Sequence, residues 1–156
     1  MKESDMQSEF SRWLKTGGGD GFDRSTTFEL KLTKGGQAIP FRVVKEHQVD
    51  GLNRSSWKDG LYWKITDLSL GSKPFDCMWL IGCRAYVVLG WWDDGRRVDG
   101  LGLRWYGIDI DRFEEERKKS KQRSLTEKRA GEICEFSRDE NHLDENHLDE
   151  NHLGFD

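Results

Sequence analysis

Two residues of the stretch TTFELKLTKG, Glu29 and Lys31, have the types and the spacing that chemistry at a shared site would need. The stretch alternates apolar and polar residues, which predicts a β-strand whose alternate side chains share a face. Strand geometry alone then holds an acid and a base side by side. The pattern leaves two interpretations open: an ion pair on a half-exposed strand, or part of an active site.

Two polar residues of the predicted helices could join such a site. Glu9 lies at the margin of the apolar stripe of a predicted first helix, and Gln48 shares a face of a predicted second helix with two apolar residues. A glutamine between apolar neighbours needs hydrogen-bond partners for both ends of its amide. Gln48 is therefore predicted either to tie down a loop or to reach into a site beside Glu29 and Lys31.

Hydrophobic periodicity predicts an α/β domain. Helical spacing predicts a first helix over residues 5–16, with Ser4 and Gln7 as its capping box, and a second helix from Pro40 to Trp57. The segment LYWKIT alternates and predicts a strand with one buried face, whereas FDCMWLI and AYVVLGWW do not alternate and predict strands covered on both sides. RWYGIDI predicts a further strand. We therefore expect a mixed central sheet flanked by helices.

The chain divides into three predicted regions. A single α/β domain is expected over residues 1–113, since about a hundred residues suffice for one core. A charged linker and a C-terminal helix are expected over residues 114–137, where Ser124 and Glu127 have capping-box spacing. Residues 138–156 form an acidic tail that contains a DENHL repeat and is predicted to be disordered.

The tail repeats a histidine every five residues, at His142, His147 and His152. A spacing of five turns each successive side chain by about 140° around a helix. No single helical face gathers the three imidazoles, so the repeat does not favour a metal site.

Charge is unevenly distributed along the chain, whose net charge is −4. Residues 114–156 hold 8 Lys and Arg against 13 Asp and Glu, which leaves the remainder at +1. Residues 24–64, around the Glu29 and Lys31 pair, hold 8 basic and 4 acidic side chains. This segment is predicted to be either one wall of a polyanion site or a solvated basic face.

The cysteines and the N-terminal segment predict the cellular compartment in which the protein is found. Cys77, Cys83 and Cys134 are an odd count without metal-type spacing, which is typical of reduced thiols. The opening MKESDMQSEF has no apolar signal region, and no stretch has the length of a membrane span. We therefore expect a cytoplasmic protein without membrane contact.

The stretch TTFELKLTKGGQAIPFRVVKEHQVDGL resembles the active-site segment of bacterial and phage Holliday junction resolvases. This family, also called penicillin-binding-protein-related factor A, belongs to the PD-(D/E)xK nuclease superfamily. In it a strand ending in F-E-x-K leads through a polar loop and a proline to a helix containing H-Q. The matching residues here are Phe28, Glu29, Lys31, Pro40, His47 and Gln48. Phage-type relatives also share KPFD at residues 73–76 and AYVV at residues 85–88.

The resemblance implies a restriction-endonuclease-like fold and hydrolysis of DNA phosphodiesters with Mg²⁺, for which Mn²⁺ could substitute. Glu29 and a second carboxylate would hold the metal, and Lys31 would orient or deprotonate a water or stabilise added negative charge. Glu9 would bind a metal through water, and Gln48 would complete the polar wall. Branched DNA is the implied substrate and a homodimer the implied assembly, because symmetric cleavage of a junction needs two sites.

The second metal ligand departs from the superfamily pattern. An Asp usually precedes the E-x-K strand on another strand, but only about a dozen residues separate the predicted first helix from Thr27. Asp20 and Asp23 are candidates by order, and Asp76 is preferred because it begins an apolar strand that could neighbour Glu29. Without a second carboxylate, the alternative is a non-catalytic nucleic-acid-binding protein on the same fold.

Overall fold

The structure is a computed structural model, and it describes residues 1–18, 22, 25–56, 60–64, 77–93 and 102–138. Its helices are α1 (Glu3–Trp13), α2 (Glu46–Ser56), α3 (Ile110–Lys119) and α4 (Glu127–Ile133). Its strands are β1 (Thr27–Lys34), β2 (Ile39–Pro40), β3 (Leu61–Lys64), β4 (Cys77–Leu80), β5 (Ala85–Trp92), β6 (Leu103–Asp109), β7 (Ser124–Leu125) and β8 (Phe136–Arg138).

The predicted α/β class is confirmed: the main sheet is mixed and has the strand order β1-β5-β6-β8. The chain leaves β1, passes through α2 and returns as β5, which pairs parallel to β1. Parallel neighbours need such a crossover, because a tight turn cannot join them. β5 then pairs antiparallel with β6, and β6 with β8.

Helices cover the two faces of this sheet. One apolar cluster joins α2, α3 and α4 to inward residues of β5 that include Val87, Leu89 and Trp91. The other joins Met6 and Phe10 of α1 to the opposite face. The run AYVVLGWW is buried along almost all of its length, as predicted for a strand covered on both sides.

Strands form within LYWKIT and FDCMWLI as predicted, but the burial predicted for them is wrong. They contribute β3 and β4, which pair with each other in a two-stranded antiparallel ribbon outside the main sheet. Tyr62, Trp63 and Trp79 are 54%, 59% and 61% exposed. An apolar strand is buried only where another layer of the protein packs over it. Within the described residues, the rings of the ribbon lie at the surface.

The second helix begins later than predicted. Pro40 lies in β2 and pairs with Ser124 of β7, and a short 3₁₀ turn at Phe41–Val43 follows before α2 starts at Glu46. Val44 separates the two helical pieces because its backbone is extended (ψ 104°). α1 begins two residues before the predicted start at residue 5, and a π-helical segment at Leu14–Gly18 continues it past the predicted end at residue 16.

The predicted charged linker contains a helix. α3 begins within the first predicted region and continues into the second, and its Phe113 is buried. The side chain of Asp109 caps it by accepting a hydrogen bond from the backbone N–H of Asp111 (2.9 Å). The C-terminal helix is capped by Thr126 and not by Ser124, and Ala130 packs it on the domain as expected. The DENHL repeat and its histidines lie outside the described residues.

Tyr86 gives the fold a measurable pH dependence. It is buried on β5, and its hydroxyl donates to Glu135 (2.7 Å). Burial, together with the Glu135 carboxylate, raises the pKa of the Tyr86 phenol to about 12. Because the folded pKa exceeds the unfolded value of about 10, this contribution to stability is present below pH 10 and is lost as the pH rises towards 12.

We therefore expect the free energy of unfolding of the wild type to fall between about pH 10 and 12 more steeply than that of Tyr86→Phe. Urea titrations across this range would measure the difference. Parallel pH profiles for the two proteins would contradict the assignment.

Candidate active site

β1 brings Glu29 and Lys31 together as the strand pattern predicts. The Nζ of Lys31 lies 2.6 Å from Oε1 of Glu29. The Lys31 side chain is 14% exposed and that of Glu29 is 23% exposed, so the pair is partly buried but reachable from solvent. Their sheet partners are Val87 and Leu89 of β5, which belong to the face covered by α2.

Gln48 joins this pair from the first turn of α2. Its Nε2 donates to Oε1 of Glu29 (2.6 Å), and its Oε1 accepts from the backbone N–H of Lys45 (3.0 Å). The second bond is one half of a capping box, because an N3 side chain reaches back to the N-cap N–H. The Gln48 amide therefore ties down the start of α2 and also makes the predicted contact with Glu29.

Oε1 of Glu29 thus has two donors, one cationic and one neutral. Both donors contact the same oxygen, Oε1, and among the described residues Oε2 accepts no hydrogen bond. Because the two donors hold Oε1 in place, the position of Oε2 is defined as well. The arrangement suits binding of a hard cation or of a water by Glu29, with an ammonium group alongside.

The acid that α1 supplies to the pair is Glu3, which the sequence did not indicate. Oε1 of Glu3 lies 3.7 Å from Nζ of Lys31, so one ammonium is shared by carboxylates from the helix and the strand. Glu9 instead pairs with Arg12 on its own helix (2.7 Å). Glu3 is the first residue of α1 and lies away from the apolar stripe on which Glu9 was identified. It lies close to β1 because of how α1 packs on the sheet, which the sequence pattern does not report.

The candidate second carboxylates, Asp20, Asp23 and Asp76, lie outside the described residues. The expectation that the strand after Asp76 neighbours Glu29 is wrong, however. That strand is β4, which pairs with β3, whereas the neighbour of Glu29 in the sheet is Val87 of β5. A metal role for Asp76 stays a prediction without that support.

The fit of Mg²⁺ to these residues can be judged from donor chemistry. Mg²⁺ is often held by one or two carboxylates, with waters and substrate phosphates completing its shell. Glu29 fits as one such ligand. The described residues contain no group of three or more His, Cys, Asp and Glu side chains that could hold a metal ion. Asp20, Asp23 and Asp76 are the further protein ligands that the sequence analysis offers.

The remaining residues of the F-E-x-K and H-Q motifs have ordinary positions. Phe28 packs against the cluster on the α1 face, and His47 is exposed on α2. No helix in the described part of the chain has the length and apolar character of a bilayer span.

Comparison of the chain with protein-family models, with curated proteins and with solved structures finds no match. The resemblance to the junction resolvases therefore depends on the motif residues and on their placement around Glu29.

Replacing Gln48 by alanine should lower the free energy of unfolding by about 1–2 kcal/mol, because a helix-capping bond and a bond to a charged group are both removed. Gln48→Glu should keep the capping bond but bring a second carboxylate to Glu29, so its stability should recover at acidic pH, where protonation of the introduced carboxylate removes the repulsion. Urea denaturation at two pH values measures both effects. Gln7→Ala, on the exposed face of α1, is the control, and equal stability of all four proteins would show that the contact with Glu29 is not formed.

Proposed function

We propose that this protein is a Mg²⁺-dependent DNA endonuclease that hydrolyses phosphodiester bonds, with branched DNA such as a four-way junction as its substrate. The observation that supports this most is the meeting of Lys31 and Gln48 at one oxygen of Glu29. All three are polar residues of the F-E-x-K and H-Q motifs, and a strand and a helix separated in sequence bring them to one point.

The protein groups have separate roles in this proposal. Gln48 and Lys31 hold the Glu29 carboxylate in a fixed position, which a metal ligand requires. Glu29, with Asp76 or one of the other aspartates, would hold Mg²⁺, which when bound would supply an acidified water and offset negative charge at phosphorus. Mn²⁺ is the expected substitute.

Lys31 would act on the reacting groups themselves. Its ammonium lies beside the carboxylate, so it can donate to an attacking water, accept a proton from it when neutral, or stabilise charge on a phosphate oxygen. Glu3 already contacts the same ammonium and would help to keep it in place. Glu9, expected to act through water, is paired with Arg12 on α1.

A homodimer is the assembly that suits a junction substrate, because paired cuts in opposite strands need two sites. Each chain would bring one Glu29 and Lys31 pair. Cytoplasmic location remains part of the proposal, since DNA and reduced thiols are both found there.

The test is incubation of the purified protein with a labelled four-way junction and with a linear duplex of matched sequence, each with Mg²⁺ and with EDTA. Paired nicks in the junction that require Mg²⁺ support the proposal. Cleavage of both substrates supports a nuclease without junction selectivity. Metal-independent binding without any cleavage would overturn the enzymatic proposal.

The second candidate is a DNA-binding protein without catalysis. One observation favours it: the ribbon of β3 and β4 exposes the rings of Tyr62, Trp63 and Trp79. Exposed aromatic rings suit stacking on unpaired bases, which needs no metal. Binding of the junction in EDTA together with lack of turnover in Mg²⁺ would identify this function.

A further inference from the structure

A basic cavity of about 780 Å³ lies where the N-terminal end of α2 meets α3 and the turn before β7. Its charged lining consists of Arg42, Lys45, Glu46, Arg117 and Arg123. Four of these five side chains are cationic. The volume is in the range of about 300–1,000 Å³ that small-molecule sites occupy in proteins.

The positive charge in this cavity is largely uncompensated. Glu46 pairs with Arg117 across the gap between α2 and α3. Arg42, Lys45 and Arg123 are exposed and form no ion pair within the described residues. Three cations that share a concave surface raise the local concentration of anions and can contact phosphate oxygens directly.

The floor of the cavity is apolar. Phe41 and Val44 line it, and both are buried in the cluster that packs on the main sheet. A cationic rim above an apolar floor matches a ligand that has both an anionic part and a flat apolar part. A nucleotide has this chemistry, because its phosphate can meet the rim while its sugar and base cover the floor.

The backbone of Arg123 is held in an uncommon conformation at the rim. Its φ is +54°, in the left-handed region that few residues other than glycine adopt. Its carbonyl oxygen accepts a hydrogen bond from the N–H of Phe41 (3.1 Å), which ties the turn to the cavity floor. Such conformations concentrate at ligand sites, where the surrounding contacts maintain them.

The cavity is linked to the candidate active site through Gln48. The backbone N–H of Lys45, at the cavity wall, donates to Gln48, which in turn donates to Glu29. A phosphate in the cavity would therefore lie on the same side of the molecule as the start of α2.

We propose that this cavity binds a nucleotide phosphate, and, if the proposed function holds, that the phosphate belongs to the DNA backbone flanking the cleaved bond.

The experiment measures binding in EDTA, so that it does not depend on catalysis. Fluorescence anisotropy would follow a labelled junction over a range of salt concentrations, and calorimetry would follow dAMP as a free nucleotide. The variants are Arg42→Ala with Lys45→Ala, and Arg123→Gly, since glycine accepts the positive φ. Lys128→Ala, an exposed lysine of α4 outside the cavity, is the matched control.

We expect the Arg42 and Lys45 double variant to bind DNA about tenfold or more weakly. The plot of log affinity against log salt concentration has a negative slope, and its magnitude should decrease by about 1 for each phosphate that the variant no longer neutralises. Lys128→Ala should bind as the wild type does. Unchanged circular dichroism and urea midpoints would show that the variants are folded. Saturable dAMP binding that the same variants abolish, with DNA binding unchanged, would assign the cavity to a free nucleotide.

The two proposals fail in different ways. If the variants bind DNA and dAMP as the wild type does, the cavity assignment is overturned, whatever the wild type cleaves. If the variants weaken binding but the wild type never cleaves DNA, the cavity assignment stands and the nuclease proposal fails.

Discussion

Replacing Glu29 by glutamine should lower the rate of Mg²⁺-dependent junction cleavage by about a thousandfold, as expected when a metal ligand loses its charge. The substitution keeps the size of the side chain and an oxygen that can accept from Gln48. The decrease would therefore reflect the missing charge more than altered packing. Single-turnover cleavage of the labelled junction gives the rate, and anisotropy in EDTA shows whether the variant still binds DNA.

The matched control for this substitution is Asp50→Asn, which neutralises an exposed acid of α2 that lies 4.0 Å from Arg54. It should cleave at the wild-type rate. Glu3→Gln and Glu9→Gln extend the series, because of these two acids of α1 Glu3 contacts Lys31 and Glu9 contacts Arg12. Cleavage by Glu29→Gln at the wild-type rate would leave Glu29 and Lys31 as a structural ion pair.

Replacing Arg104 by methionine should lower the free energy of unfolding by about 3–5 kcal/mol, as expected when one partner of a buried ion pair is removed. The Arg104 side chain is only 7% exposed, and it donates to Glu127 (2.5 and 3.2 Å) and to Asp93 (3.1 Å). The hydrogen bonds to Glu127, together with the charge of both acids, raise the pKa of the Arg104 guanidinium above its usual value. Methionine fills similar space but leaves both carboxylates without their cation.

Urea denaturation of the variant measures this decrease, and Arg54→Met is the control. Arg54 is half-exposed and 4.0 Å from Asp50, so its replacement should cost less than about 1 kcal/mol. Adding Glu127→Gln to Arg104→Met should recover part of the stability, because one uncompensated charge is removed. Equal decreases for the two arginine variants would show that the contact between β6 and α4 is not buried in solution.

Much of the main sheet could be predicted from the sequence because its strands have distinctive patterns. Alternation in TTFELKLTKG predicts the two faces of β1, and continuous apolar character in AYVVLGWW predicts the burial of β5. The run FDCMWLI has similar apolar character, but its described residues 77–80 form one strand of an exposed ribbon. Composition reports that a segment can be buried, whereas its strand partners depend on contacts far away in the chain.

The residues of the candidate site likewise include some that local sequence patterns predict and some that depend on long-range packing. Glu29, Lys31 and Gln48 could be predicted because a period of two and the first turn of a helix are local features. Glu3 could not, because its distance from Lys31 depends on how α1 crosses the sheet. The basic cavity was partly visible in the excess of positive charge over residues 24–64, but Arg117 and Arg123 come from a segment predicted to be a linker.

The position of β1 bears on self-association. In the described sheet β1 is an edge strand, and the backbone groups of an edge strand can pair with a strand of another molecule. Charged side chains on an edge strand, here those of Lys31 and Glu29, oppose such pairing, because a strand added alongside would take water away from them. The residues proposed for chemistry would thus also keep two copies of the protein from joining edge to edge, so that a functional dimer would form through a different surface.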